Sequence, residues 1–189
     1  MTTAVGPLTE VSTWSLDPAH SRVHFKVRHM MLANVRGEFR ELRADLHLDE
    51  ADITRSSVSV DIDASSIETR NIQRDDHLRS ADFLDAARYP TIFFRSTRIQ
   101  RMPNGGIQIA GELTIRGIAL VVNLDVDNVS PAMKDPWGNF RMAASASTSI
   151  NRKDFGLTWN AALETGGVLV GDEVSIELEL EFLRDHSSK

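Results

Sequence analysis

An all-β fold of eight antiparallel strands closed into a barrel is predicted by three features of this chain. Apolar and polar residues alternate at period two in one segment after another. The joints between those segments are short and rich in turn residues, such as Asn104-Gly105-Gly106 and Arg116-Gly117. No helical pattern alternates with the strands, so βαβ units are absent and the sheet is antiparallel. Closing eight such strands on themselves removes their exposed edges. A sandwich of two sheets has the same periodicity and stays open as the competing architecture.

The elements follow in order. Val23, Phe25 and Val27 alternate with His24, Lys26 and Arg28, and His29 continues the parity of the apolar set. The second strand runs from about Gly37 to Leu48. Leu42, Ala44, Leu46 and Leu48 are in phase there while Phe39 is out by one, so a bulge is expected near Arg40–Glu41. Val58, Val60 and Ile62 mark the third, and the β-rich run after Pro90 starts the fourth. Ile107, Ile109, Gly111, Leu113 and Ile115 share a face of the fifth; Leu120, Val122, Leu124 and Val126 share one of the sixth. Asn128 to Gly138, with two prolines, reads as a loop. Phe140, Met142, Ala144, Ala146, Thr148 and Ile150 form the inner face of the seventh strand. A second irregular segment, residues 151–169, precedes the eighth, whose Ile176, Leu178 and Leu180 alternate with Glu177, Glu179 and Glu181.

The stretch from Thr69 to Phe94 is the exception. Leu78, Ala81, Phe83 and Leu84 have helical spacing, so a short helical cap is expected around residues 75–88, lying over one barrel end. Arg70, Arg74, Asp75, Asp76, His77 and Arg79 crowd its start. They form either a polar mouth, with arginine forks for a phosphate or carbonyl, or an ion-pair network that anchors the cap.

The 189 residues suffice for one domain, assigned to 13–184, with a loose tail at 1–12 and another at 185–189. A net charge of −6 argues against nucleic acid and gives no overall attraction to an anionic membrane. No apolar run approaches the roughly 20 residues of a membrane span, so the chain is not expected to be membrane-embedded. Without cysteine there is no thiolate nucleophile or zinc–thiolate site. The first residues, MTTAVGPLTEVSTW, have neither a basic n-region nor an apolar h-region, so a cytoplasmic location is expected. His20 and His24 are about 13 Å apart on an extended strand and cannot share a metal. No metal, cofactor or catalytic residue is therefore assigned. Trp14, Trp137 and Trp159 are barrel plugs or rim residues.

Eight strands lie at the boundary between a filled barrel and one that holds a small ligand. Gly111, Ala144, Ala146 and Thr148 are small for inward positions, which suggests a channel unless bulky partners opposite fill it. Such a tube selects a long apolar ligand at about 0.8 kcal/mol gross per buried CH₂.

Several motifs together resemble the YceI-like family. They are Trp14-Ser15-Leu16-Asp17 with His20-Ser21, Phe25-Lys26-Val27-Arg28-His29, Gly37-Glu38-Phe39, Ser66-Ile67-Glu68-Thr69, Arg74-Asp75-Asp76-His77-Leu78, Asp82-Phe83, Tyr89-Pro90-Thr91-Ile92-Phe93-Phe94, Gly111-Glu112-Leu113-Thr114-Ile115-Arg116-Gly117 and Arg152-Lys153-Asp154-Phe155-Gly156. The resemblance covers about Trp14 to Arg184. It implies an extended, lipocalin-like barrel that binds a polyisoprenoid or similar amphiphile, in a family whose members are often periplasmic or secreted. The expected function is non-catalytic binding, storage or transport of a long-chain isoprenoid or related lipid. The alternatives are an enzyme acting on an isoprenoid or quinone, with His77 and Asp75 as the base pair, and a filled barrel that binds a protein; a homodimer is possible. Expected tail-lining residues are Phe25, Val27, Val60, Phe94, Leu113, Val122, Met142, Ala144, Ala146 and Leu178. Expected head-group residues are His29, Arg74, His77 and Arg152.

Overall fold

The computed structural model describes residues 11–163 and 167–185. Its strands are β1 (Val11–Leu16), β2 (Arg22–His29), β3 (Ala33–Phe39), β4 (Leu42–Asp49), β5 (Ser57–Asp63), β6 (Ile67–Glu68), β7 (Thr91–Arg101), β8 (Ile107–Ile115), β9 (Ile118–Val129), β10 (Met133–Lys134), β11 (Phe140–Asn151) and β12 (Val170–Arg184). Every pairing between them is antiparallel. The pairing of β11 with β12 closes the sheet into a barrel.

Setting aside the two-residue β10, which pairs only with the start of β11, the strands make eight staves because three staves are broken in two. One edge of β12 holds β2 along its first part and β1 along its last. Outward from these, β3 pairs with β2 and β4 with β1; then β6 pairs with β3 and β5 with β4. The breaks fall at the 3-10 turn Pro18–His20, at Arg40–Glu41 and at the 3-10 turn Ala64–Ser66. They lie side by side: Arg40 N donates to Ser66 O (3.2 Å) and Asp63 N to Glu41 O (2.9 Å). Aspartates start two of the breaks, since Asp17 and Asp63 accept from the backbone N–H two residues on. The bulge expected near Arg40–Glu41 is thus a complete interruption, which turns Phe39, Leu42 and Ala44 all inward. β1 begins at Val11, inside the stretch read as tail; the remainder of that tail, and residues 186–189, lie outside the described residues.

The break line is pinned by Arg141 of β11. It donates to Asp17 and Glu181 at 2.6 Å each and to Asp135 at 2.8 Å. Burial alone would push the Asp17 carboxyl up, but Arg141, His20 and the Ala19 N–H more than offset it and hold it at about 2. Asp135 is likewise held at about 2, by Arg141 and the N–H groups of Asn139 and Trp137.

The cap forms one turn earlier than its apolar spacing suggests. Helix α1 spans Ile72–Arg79, started by Asn71, whose side chain accepts from Arg74 N, and stopped at Ser80, whose hydroxyl donates to His77 O. Phe83, Leu84 and Ala86 are buried from the turns that follow, not from the helix itself. The charged run anchors this cap. Asp75 accepts from the N–H and hydroxyl of Thr69, Arg74 donates to the hydroxyl and carbonyl of Thr69, and Arg79 donates to Ser65 O and Ile67 O.

Candidate functional site: a lumen in two chambers

Inward alternation on eight staves produces an apolar interior that the side chains do not fill. A chamber of about 170 Å³ lies under the cap, and one of about 380 Å³ lies toward the opposite end. Val60, Phe94, Leu124 and Leu178 border both and form a waist between them. Phe94 is the bulkiest of the four, and its position depends on Gly111 across the β7–β8 pair. A Cβ at residue 111 would stand 2.3 Å from Cζ of the Phe94 ring. Phe25 is seated in the same way over Gly37, at 2.4 Å. Gly111 therefore does not open the tube, contrary to the reading of it as a small inward residue; a ring occupies the space it leaves. Ala144 and Ala146 do border open space, in the larger chamber.

The two chambers differ in polarity. The wall of the cap-end chamber is aliphatic and aromatic except for Thr148 and Arg152. Arg152 is 4% exposed, and all five of its N–H groups are engaged, by the carbonyls of Leu157, Trp159, Val170 and Gly171 and by Asp172. Burial pushes its pKa below the usual arginine value, with Asp172 opposing. The larger chamber ends among the turns that follow β4, β7 and β9, where Asp49, Glu50, Ser56, Arg101 and Ser130 border it. Asp49 there is buried, pairs with Arg55 at 2.6 Å and accepts from the N–H groups of Ala51 and Asp52.

All ten expected tail-lining residues border the lumen. Phe25, Val27, Leu113 and Val122 face the cap-end chamber, Met142, Ala144 and Ala146 the larger one, and Val60, Phe94 and Leu178 the waist. The four expected head-group residues all gather at the cap end. His29 ends β2 opposite Val170 and borders neither chamber. Arg74 is engaged with Thr69, as above. His77 pairs with Asp82 at 2.9 Å and packs edge-on against Phe83 and Trp159. Asp75 is committed to Thr69, so His77 and Asp75 do not form the base pair that the enzymatic alternative supposed. The polar residues of the opposite mouth were missed, though their signal was legible: strand polarity alone puts the turns at Asp49–Ser56 and Arg101–Gly106 at one end.

Asp17, His20 and Glu181 bring ligand atoms within 4.8 Å of one another, a spacing that suits a metal. Arg141 donates to both carboxylates, so a guanidinium already holds the place a cation would take.

Comparison with known proteins agrees with this geometry. The profile of the YceI-like domain matches residues 14–182. A UPF0312 protein of Staphylococcus epidermidis is 33% identical over 177 residues, covering 93% of this chain and all of its own length. One from Vibrio cholerae is 35% identical over 139 residues, 74% of this chain and 73% of its own. Among solved structures, Burkholderia cenocepacia BcnA superimposes with a TM-score of 0.76 at 25% identity, over 88% of this chain and 98% of BcnA. A polyisoprenoid binding domain from Saccharophagus degradans shares the fold, with a TM-score of 0.64 at 16% identity over 93% of this chain and 100% of that domain.

Proposed function

The chain belongs to the YceI-like domain family, and from that premise we propose that it binds one long apolar chain, an isoprenoid or similar amphiphile, as a carrier and not as an enzyme. The observation that carries this reading is the lumen itself: two adjoining chambers, walled by hydrocarbon over most of their length, the larger of which, at about 380 Å³, lies within the ~300–1,000 Å³ range of ligand sites. A branched five-carbon unit that leaves water for such a wall contributes on the order of 3–4 kcal/mol before ordering costs. A multi-unit tail therefore binds tightly with few polar contacts. The polyisoprenoid named for the Saccharophagus degradans domain, which shares this fold, supports the isoprenoid class.

The head group belongs at the end away from the cap. Asp49, Ser56 and Arg101 border that chamber, whereas the one cation on the cap-end wall has all its donors engaged. This moves the head group from the residues expected at the cap to the opposite mouth.

Native mass spectrometry of freshly purified protein, before and after organic extraction, tests the reading. A mass excess of one long-chain lipid per chain, removed by extraction and restored by added polyprenol, supports it. Protein that carries nothing and takes up nothing after extraction refutes it.

A further inference from the structure

The hairpin that joins β2 to β3 carries an apolar tip in a left-handed backbone conformation. Its tip is Met30-Met31-Leu32, exposed by 39%, 58% and 81%. Met30 and Met31 hold φ of 52° and 58°, in the left-handed region where glycine or asparagine is the usual choice. A connection that served only to reverse the chain would place a small or polar residue there. This one keeps two thioethers and a leucine in water.

The stem behind the tip is cationic. Lys26 and Arg36 are direct cross-strand partners, a like-charge pairing that is unfavourable by itself. Arg28 stands one step nearer the tip, opposite Asn34. None of these three makes an ion pair among the described residues. The hairpin's own carboxylate, Glu38, lies farther from the tip, beside His24 and Arg40. On β12, Asp172 is paired with Lys153, while Glu173 and Glu177 make no ion pair among the described residues, and Glu177 shares a shallow cleft with Lys26 and Arg36, so three cations here stand beside two carboxylates. At about 3.3 Å per residue, Arg28 sits roughly 7–10 Å behind the tip and Lys26 with Arg36 roughly 13–17 Å behind it.

We propose that this hairpin docks the protein on a bilayer surface that contains anionic lipid, with Met30, Met31 and Leu32 in the interface and Lys26, Arg28 and Arg36 at the headgroups. An apolar end followed by a basic collar is the pattern of interfacial anchors. Trp137, on the β10–β11 hairpin, is another exposed apolar tip, but the arginines around it, Arg141 and Arg55, are held by Asp135 and Asp49.

The inference rests on the carrier reading and gives it an orientation. Val27 and Val170 lie directly behind the tip, with Met30 N bonded to Leu169 O, and both line the cap-end chamber. Docking therefore sets the cap-end chamber nearest the bilayer and the polar mouth of the larger chamber away from it.

Vesicle flotation tests the proposal, with phosphatidylcholine alone or mixed with phosphatidylglycerol. Wild-type protein should float with the mixed vesicles about tenfold or more above the neutral ones, and the difference should fade as salt rises. Met31→Asp with Leu32→Asp, and separately Arg28→Gln with Arg36→Gln, should each lose that binding while native mass spectrometry finds the same lipid in the lumen. Wild type that stays in solution, or variants that float equally well, would overturn the docking proposal and leave the carrier reading intact. Loss of a dimer by the tip variant, seen in light scattering, would equally overturn it and assign the tip to a second copy of the chain. Absence of lipid from every variant and from wild type would instead strike the carrier reading.

Discussion

The two chambers of the lumen are walled by the same eight staves, yet they are finished by opposite means. The cap-end chamber is closed by apolar side chains that the chain brings back over the barrel: Leu78 from α1, Phe83 and Leu84 from the turns after it, and Phe155 and Leu157 from the second irregular segment. Charge there serves the backbone, with Arg152, Arg74, Asp75 and Arg79 all spent on fixing loops. The other chamber is left among hairpin turns, and its polar side chains border the space directly. A basic residue near a cavity is thus no guide to a head group until its donors are counted. Arg152, which borders the cap-end chamber, has no donor left to offer.

The comparison can be broken most forcefully in the larger chamber. Ala146→Trp puts an indole into space bordered by Ala144, Val126 and Leu178. Loss of even one isoprene unit's burial lowers affinity by ~3–4 kcal/mol, a hundredfold or more. Uptake of a long polyprenol should fall by that much while circular dichroism and the melting transition show a folded barrel. Unchanged uptake would place the tail elsewhere.

At the cap end the expected effect is on folding. Arg152→Met leaves the carbonyls of Leu157, Trp159, Val170 and Gly171 without their donor, and urea denaturation should show a loss of about 3 kcal/mol. A change near zero would mean that these carbonyls find water and that the arginine is free for a ligand after all.

The waist joins the two regions, so it sharpens the contrast between them. Gly111→Ala drives a methyl into the Phe94 ring, at a stability cost of about 2 kcal/mol. The displaced ring should narrow the passage, weakening uptake of tails long enough to cross it and sparing shorter ones. Equal effects on both lengths would show that the chambers are not joined through Phe94.

The smallest expected effect lies on the break line. Asp17 and Asp135 titrate at about 2 in the folded chain, below the ordinary value of 3.8. A depressed folded pKa contributes stability that is present above the unfolded value and lost as pH falls through the folded one. Acid unfolding should therefore steepen between about pH 4 and pH 2, and Arg141→Met should flatten the curve in that window. A curve unaltered by the substitution would mean that other carboxylates govern acid unfolding.

The eight staves were legible because period-two alternation survives even where a stave is broken, since each half keeps its own inward phase. The breaks themselves were less so. Phe39 against Leu42 betrayed one as a slip in phase, and Asp17-Pro18 and Asp63-Ala64-Ser65 carry turn chemistry that reads equally well as a strand end. Ten wall residues followed from parity alone. The filling of Gly111 by Phe94 did not, because it depends on register across β7 and β8, which includes an irregularity between Ser96 and Arg98. Anchoring of the cap by its charged run was one of the two readings open in the sequence, but the particular acceptors were not legible, since most are backbone carbonyls that any sequence supplies.

The most direct test of the account is a titration of organically extracted protein with geraniol, farnesol and geranylgeraniol, for wild type and Ala146→Trp. An apolar lumen that takes the tail predicts affinity that climbs steeply with each added isoprene unit in wild type and stops climbing in the variant. Affinity that ignores chain length, or climbs equally in both proteins, would contradict it.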